Sequence, residues 1–266
     1  MLGAVWTAEF RVLLAGAVLV AVAFVTRSNL EWRRFGGWYA VIGVLNSGVP
    51  FALIAFAQLR LTASMAAILN ATTPLWGALI GVVLFREAFT VWRGLGLLLG
   101  MGGVVVLVGW SPLEPGWMTT LSVLAMLTAT CCYGIASNLT KRHLQGAPTL
   151  GAATGSQLAS SLALLPLMPL DLPRAATDAT VIVCLLALAV ICTAVAYLLY
   201  FRLIVELGAT RALTVTFLVP IFGTVWSAVF LGEVVTATKL VACALILCGA
   251  GFVTGILKPA RIKLQG

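Results

Sequence analysis

The chain has 266 residues, of which 62% are hydrophobic and only 9% charged, with a net charge of +8. A soluble domain carries about a quarter charged residues, and a mean hydropathy of +1.12 leaves too little polar surface to cover a globule in water. These figures exclude a soluble enzyme and a soluble nucleic-acid-binding protein, and they place the chain in a lipid bilayer.

The apolar runs are about 17–25 residues long, the length that spans a ~30 Å hydrocarbon core as a helix. They lack the period-2 alternation of barrel strands, so the fold class is all-α integral membrane. Nine segments are expected, at 3–25, 35–57, 64–85, 93–110, 117–139, 149–170, 179–201, 210–231 and 238–257.

The first segment begins almost at Met1 without a basic flank or a small-residue cleavage site, so it reads as a span and not as a removed leader. It carries Glu9 and Arg11. A charge inside a span is a functional candidate by default, and these two are expected as coupling or gating groups. Being two residues apart, they point to different faces. The second segment holds Asn46 and Pro50 one turn apart, and the third holds Asn70, Pro74 and Trp76. The seventh presents Thr193, Tyr197 and Tyr200 at i, i+4 and i+7, one helical face. The eighth carries Thr216 and Pro220, and a basic tail covers 259–266. All six cysteines lie in apolar runs without metal-ligand spacing, and the only histidine, His143, is placed in a loop. No metal site and no cofactor are expected.

Basic residues mark the cytoplasmic ends of spans. Alternate loops and the tail hold Arg27, Arg33, Arg34, Arg86, Arg93, Lys141, Arg142, Arg202, Arg211, Lys258, Arg261 and Lys263, which is twelve. The opposite loops hold Arg60, Arg174 and Lys239, which is three. This bias puts the C-terminus in the cytoplasm.

Shifting the sequence by 146 residues aligns Leu53 with Leu199, Ala66 with Ala212, Pro74 with Pro220, Glu87 with Glu233, Gly103 with Gly249 and Gly109 with Gly255, without gaps. Leucine matches are cheap in apolar sequence; Pro, Glu and two Gly in one register are not. The reading is an internal duplication, with a first repeat at 1–111 and a second at 117–258. Segments three and eight run in opposite directions, so the repeats are inverted, as in transporters that rock one half against the other. The second repeat has five segments and the first has four. The partner of 117–139 would precede Met1; the two readings are a helix encoded upstream of this start, which is the preferred expectation, and a nine-helix variant.

Each central proline removes its own N–H and frees the carbonyl four residues earlier, those of Asn70 and Thr216. In lipid such carbonyls must face protein or a cavity. Asn46, Asn70, Pro74, Trp76, Thr193, Tyr197, Thr216 and Pro220 are therefore the candidate lining of a substrate cavity, with packing bends and helix–helix hydrogen bonds as the plain alternative. Glu87 and Glu233 each precede the next helix and are expected as structural caps of its N-terminus. The pairs Gly77/Gly81, Gly96/Gly100, Gly151/Gly155 and Gly251/Gly255 allow close helix contact. They leave a homodimer open without arguing for one.

The stretches "AEFRVLLAG", "ASMAAILNATTPLWGALIGVVLFRE" and "GATRALTVTFLVPIFGTVWSAVFLGE" resemble EamA-type permeases of the drug/metabolite transporter superfamily, and the resemblance covers essentially the whole chain. It implies ten helices in two inverted five-helix repeats, here without the first helix. It also implies two cytoplasmic termini and export of small metabolites or drugs. Arg11 matches the arginine of that family's first motif. No G-x-x-x-x-G-K-[ST] stretch is present, so a gradient must supply any energy. The expectation is a secondary transporter, an exporter of amino-acid-like or amphipathic solutes in a bacterial inner membrane. Its partners are a small-molecule substrate and the bilayer, not nucleic acid. A lipid or lipid-linked sugar flippase is the alternative. Without a buried histidine or an H-E-x-x-H stretch, an intramembrane enzyme is not expected.

Overall fold

The computed structural model describes residues 3–110, 116–170, 178–207, 215 and 217–257. Thr216 and the basic tail at 259–266 lie outside the described residues. Among the described residues the chain is helical, with no strand. Helix α1 covers Ala4–Val25. The second segment is α2 (Trp32–Gly43), a widened π-turn at Val44–Gly48, and α3 (Val49–Ala57). The third is two helices, α4 (Ala63–Asn70) and α5 (Thr73–Val83). Then come α6 (Val91–Gly109), α7 (Trp117–His143) and α8 (Thr149–Leu164), the last continued by a tighter 3₁₀ stretch at Leu165–Leu170. The seventh segment is α9 (Ala179–Ala189), a second π-turn at Val190–Val195, and α10 (Ala196–Leu207). Helices α11 (Leu218–Leu231) and α12 (Ala237–Thr254) close the described chain.

Seven of the nine expected segments are long and apolar enough to cross a membrane, and α11 is a shorter apolar helix. Helix α8 is different in kind. Thr154, Ser156, Gln157, Ser160 and Ser161 are all buried along it, so its polar groups face protein and not lipid. The whole molecule is inverted relative to a soluble fold. Leu98, Val105 and Phe230 are exposed, while Glu9, Ser47, Gln157 and Thr193 are fully buried. An apolar solvent outside and polar groups gathered inside is the arrangement that hydrocarbon demands.

The sequence halves do not form separate bodies. The most extensive contacts join a helix of the first half to one of the second: α6 with α12, α1 and α2 with α8, α3 and α5 with α7, and α4 with α11. The result is two mixed bundles. The first holds α1–α3 and α8–α10; the second holds α4–α6, α11 and α12; α7 lies against both. The two sequence halves are therefore interleaved helix by helix.

Glycine permits these crossings. A Cβ on Gly96 would lie 2.5 Å from the carbonyl oxygen of Gly249, and one on Gly249 would lie 2.5 Å from that of Gly96. A Cβ on Gly43 would lie 2.3 Å from the Ser156 carbonyl oxygen. Backbones touch at these points, and no side chain could swing aside to make room.

Local detail recurs 146 residues apart. The π-turns begin at Val44 and Val190. The N–H of Glu87 donates to Gly81 O at 3.0 Å, and that of Glu233 donates to Ser227 O at 3.2 Å. Before each comes a residue with positive φ, Arg86 at 54° and Gly232 at 65°, a left-handed helix terminus that glycine tolerates better than arginine. Thr90 and Thr236 cap α6 and α12, their hydroxyls accepting from the N–H of Arg93 and Lys239.

Those threonines correct the reading of the two glutamates. Neither Glu87 nor Glu233 caps the helix that follows it, because Thr90 and Thr236 already hold those positions. Glu233 instead reaches α4, accepting from the N–H of Ala63 at 2.7 Å and of Ser64 at 3.3 Å, from the Ser64 hydroxyl, and from Lys239 Nζ at 3.4 Å. Glu87 pairs with Arg93 at 2.9 Å and with Lys141 of α7 at 3.0 Å. The carboxylates are thus clamps between elements distant in sequence, which local spacing cannot reveal. His143 is likewise not in a loop; it ends α7 and stacks on Trp38 with ring centroids 3.6 Å apart.

Two predictions follow from these contacts. Gly249→Val forces the α6 and α12 backbones apart and should lower the unfolding midpoint in detergent, at a cost of about 1–3 kcal/mol or more. Gly102→Ala, where a Cβ meets nothing within 4 Å, should leave the midpoint unchanged in the same melt. The second prediction concerns acid. Burial pushes the Glu233 carboxyl up, but the Ser64 hydroxyl and the N–H groups of Ala63 and Ser64 outweigh it, so the group sits below its ordinary value. The Lys141 hydrogen bond, against burial and with help from Arg93, likewise holds Glu87 low. The folded state therefore binds fewer protons than the unfolded chain. Stability should be constant above about pH 4.3, the ordinary carboxylate value, and fall as pH drops through the folded values. Glu233→Gln should cost about 1.5–3 kcal/mol at pH 7 and flatten that acid limb; an unchanged acid limb would assign the effect elsewhere.

Candidate functional site

The sequence breaks its helices where the two bundles face each other. Pro50 lacks the N–H that would bond to Asn46 O, and the π-turn loosens the same stretch. The carbonyl does not stay free. The Tyr197 hydroxyl donates to Asn46 O at 2.7 Å, accepts from Asn46 Nδ2 at 3.2 Å and shares a 2.6 Å bond with Ser47 Oγ. Gln157 Nε2 of α8 donates to Ser47 Oγ at 3.1 Å. Because Tyr197 spends its proton on Asn46, the chain of donors runs from Gln157 through Ser47 to Tyr197. The Ser160 hydroxyl donates to Gly43 O at 2.7 Å, just before the turn. The polar face of α8 is what makes the π-turn tolerable in a membrane.

Pro74 acts one segment later. Helix α4 stops at Asn70 and α5 restarts at Thr73, so Pro74 sits in a first turn, where proline is well tolerated. The Asn70 carbonyl, expected to be offered to a substrate, is already taken: Thr73 Oγ1 donates to it at 2.8 Å. What remains available is the Asn70 side chain, whose buried Oδ1 has no partner among the described residues.

A cavity of about 230 Å³ lies at this junction. Arg11, Asn46, Phe51, Tyr197 and Tyr200 line it from the first bundle, Asn70 and Thr73 from the second, and Tyr133 from α7. Three of the eight expected lining residues are therefore brought together: Asn46, Asn70 and Tyr197. Thr193 stands behind the wall and accepts from Arg11 Nε at 2.7 Å. Pro74 and Pro220 are buried in the first turns of α5 and α11. Trp76 packs against Gly134 of α7, its Nε1 without a partner among the described residues. Thr216 lies outside the described residues.

Arg11, expected as a coupling or gating group, lines the cavity itself. Its Cζ lies 3.8 Å from the centroid of the Phe51 ring, a cation–π contact. Glu9 points elsewhere, as the two-residue spacing requires. It is fully buried against α8, where Oε1 accepts from the Ser161 hydroxyl at 2.6 Å, and it does not reach the interface. Tyr133 was not anticipated. Its signal is a lone tyrosine in the middle of an apolar helix, directly before Gly134, where α5 and α7 meet most closely.

The arrangement matches known proteins along its whole length. The EamA-like transporter family is matched over residues 2–109 and again over 120–255. An uncharacterized transporter of Archaeoglobus fulgidus is 19% identical over 231 residues, which cover 87% of this chain and 82% of that protein. A chloroplastic WAT1-related protein of Arabidopsis thaliana is 24% identical over 258 residues; the match covers 92% of this chain and 61% of the plant protein's length. A crystal structure superposes with a TM-score of 0.70 at 18% identity, over 96% of this chain and 88% of that one, so the fold is shared. With both stretches matched and apolar helices of membrane length, the chain belongs to the EamA-like transporter family and is a multi-pass integral membrane transporter.

Proposed function

We propose that this chain is a secondary transporter that exports small organic solutes, amino-acid-like or amphipathic, by alternating access around the Arg11–Tyr197 cavity. The observation that carries the reading is the cavity's position: its walls come from both bundles and from α7. A solute held there touches every body that would move. Aromatic walls with a few placed polar groups are the usual design of a small-molecule site. A volume of about 230 Å³ suits a compact solute better than a lipid-linked sugar.

The moving units in this reading are the two mixed bundles, each drawn from both repeats, 1–111 and 117–258. The 146-residue recurrence of π-turns, helix ends and caps supports an inverted duplication. The twelve-to-three split of basic residues supports a cytoplasmic C-terminus; the membrane in this reading is a bacterial inner membrane.

The test is a tolerance panel. The chain is expressed in bacteria challenged with toxic amino-acid analogues, purines, cationic dyes and antibiotics, beside Asn70→Ala and Tyr197→Phe at equal membrane abundance. Tolerance to one class of compound, reduced at least tenfold by Asn70→Ala, is the expected result. Tyr197→Phe keeps the ring but leaves Asn46 O and Ser47 short of a partner, so it should weaken tolerance through a loosened wall. Tolerance unaffected by either variant would place the pathway elsewhere. No tolerance to any compound, together with no flux in liposomes, would overturn the exporter reading.

A further inference from the structure

The cavity contains a positive charge that the protein does not balance. Among the described residues none of the ion pairs includes Arg11, and none of the lining residues is acidic. Glu9, two residues away, is engaged with Ser161 on the other side of the helix. An uncompensated charge within a membrane span is costly and is kept where it has a task. The guanidinium is also held still. Phe51 covers one face at 3.8 Å, and Thr193 accepts from Nε at 2.7 Å. That bond is the only one its side chain makes among the described residues, so the two terminal nitrogens remain as uncommitted donors. A planar fork of this kind matches a carboxylate in bidentate fashion.

The other uncommitted group is of opposite character. Asn70 Oδ1 is buried without a partner among the described residues, and its own backbone carbonyl is satisfied by Thr73. The Tyr197 hydroxyl already makes three protein bonds, which leaves it a wall and not a reader. The cavity thus offers one cationic fork and one neutral acceptor between aromatic rings.

We infer that the solute is a compact monocarboxylate that also bears a hydrogen-bond donor, with its carboxylate on Arg11 and its donor on Asn70. This rests on the transporter reading of the same cavity and adds the substrate's charge and the residues that read it. Glu9 takes no part in recognition. A dianion is disfavoured because the site supplies a single cation, and a solute without a carboxylate would leave that cation desolvated and unpaired.

The test uses four near-isosteric probes on the purified full chain in nanodiscs, by titration calorimetry: 4-methyl-2-hydroxypentanoate, leucine, 4-methylpentanoate and 4-methyl-2-hydroxypentanamide. The two carboxylates with a donor should bind at least tenfold more tightly than the neutral amide, and about tenfold more tightly than the donorless acid. Arg11→Gln should remove the preference for carboxylate over amide, with Arg11→Lys retaining part of it. Asn70→Ala should remove only the preference for the donor. Tighter binding of the amide by the unmodified chain, or no binding of any carboxylate, would overturn the inference without recourse to a variant that fails to fold. So would an Arg11→Gln protein that still prefers the carboxylate. Flux in liposomes separates the two readings. Movement only of solutes that lack a carboxylate sinks the carboxylate site and leaves transport standing. Carboxylates that bind but cross no faster than in empty liposomes sink transport and leave the site standing.

Discussion

In hydrocarbon, a helix cannot be broken unless the protein supplies a partner for every polar group the break releases. This constraint governs where the chain bends and what lies opposite. Pro50 and the π-turn release Asn46 O, and Tyr197 is there to take it. The π-turn opens next to Gly43 O, and Ser160 answers it. Pro74 removes the N–H that would bond to Asn70 O, and Thr73, one residue before the proline, closes it with its own hydroxyl. Each repair uses a hydroxyl, and the bends at Asn46 and Asn70 border the cavity.

The same constraint explains α8. Left facing lipid, its run of Thr154, Ser156, Gln157, Ser160 and Ser161 would expose five polar side chains at membrane depth. Packed against α1 and α2 it becomes a strip of partners for Glu9, Gly43 and Ser47. Contact at that distance requires Gly43, where a Cβ would lie 2.3 Å from the Ser156 carbonyl oxygen. Glycine and hydroxyl side chains are two halves of one device: the first brings backbones together, and the second pairs the groups that meet there.

Much of this was legible in the sequence because it depends on residues with a single strong local effect. Proline at a fixed position and the 146-residue register constrain the backbone directly. What escaped is what depends on partners. A carbonyl released by Pro74 can be predicted; its capture by Thr73 depends on a rotamer. A glutamate before a helix looks like a cap. That Glu233 instead binds the N-terminus of α4 is set by tertiary contact between segments 170 residues apart. The threonine caps were within reach, since Thr90 and Thr236 share the register that aligns Glu87 with Glu233. The π-turns had no such mark, because the second occurs without a proline at the position equivalent to Pro50, where Ala196 stands. Tyr133 belongs to α7, whose counterpart was expected upstream of Met1, so no register could pick it out.

On the alternating-access reading, the distribution of polar bonds favours one seam as the moving one. Toward the second bundle, α7 is tied by Asn138 Nδ2 to Gly77 O at 2.9 Å, by Thr130 Oγ1 accepting from Thr72 at 3.1 Å, and by Lys141 to Glu87. Toward the first bundle its described contacts are mainly apolar, with the His143–Trp38 stack and one side-chain hydrogen bond between Tyr200 and Ser137. Hydrogen bonds are directional and resist sliding; apolar contact is non-directional and tolerates it. Glu233 and Lys239, with side chains only 13% and 9% exposed, stiffen the second bundle internally and do not bridge to the first. On the alternating-access reading, α7 therefore travels with the second bundle, and the sliding surface is its face toward α3. Tyr133 projects from that face into the cavity beside Phe51 and Arg11. On that reading, a solute that orders the Arg11 fork acts at the seam held mainly by apolar contact.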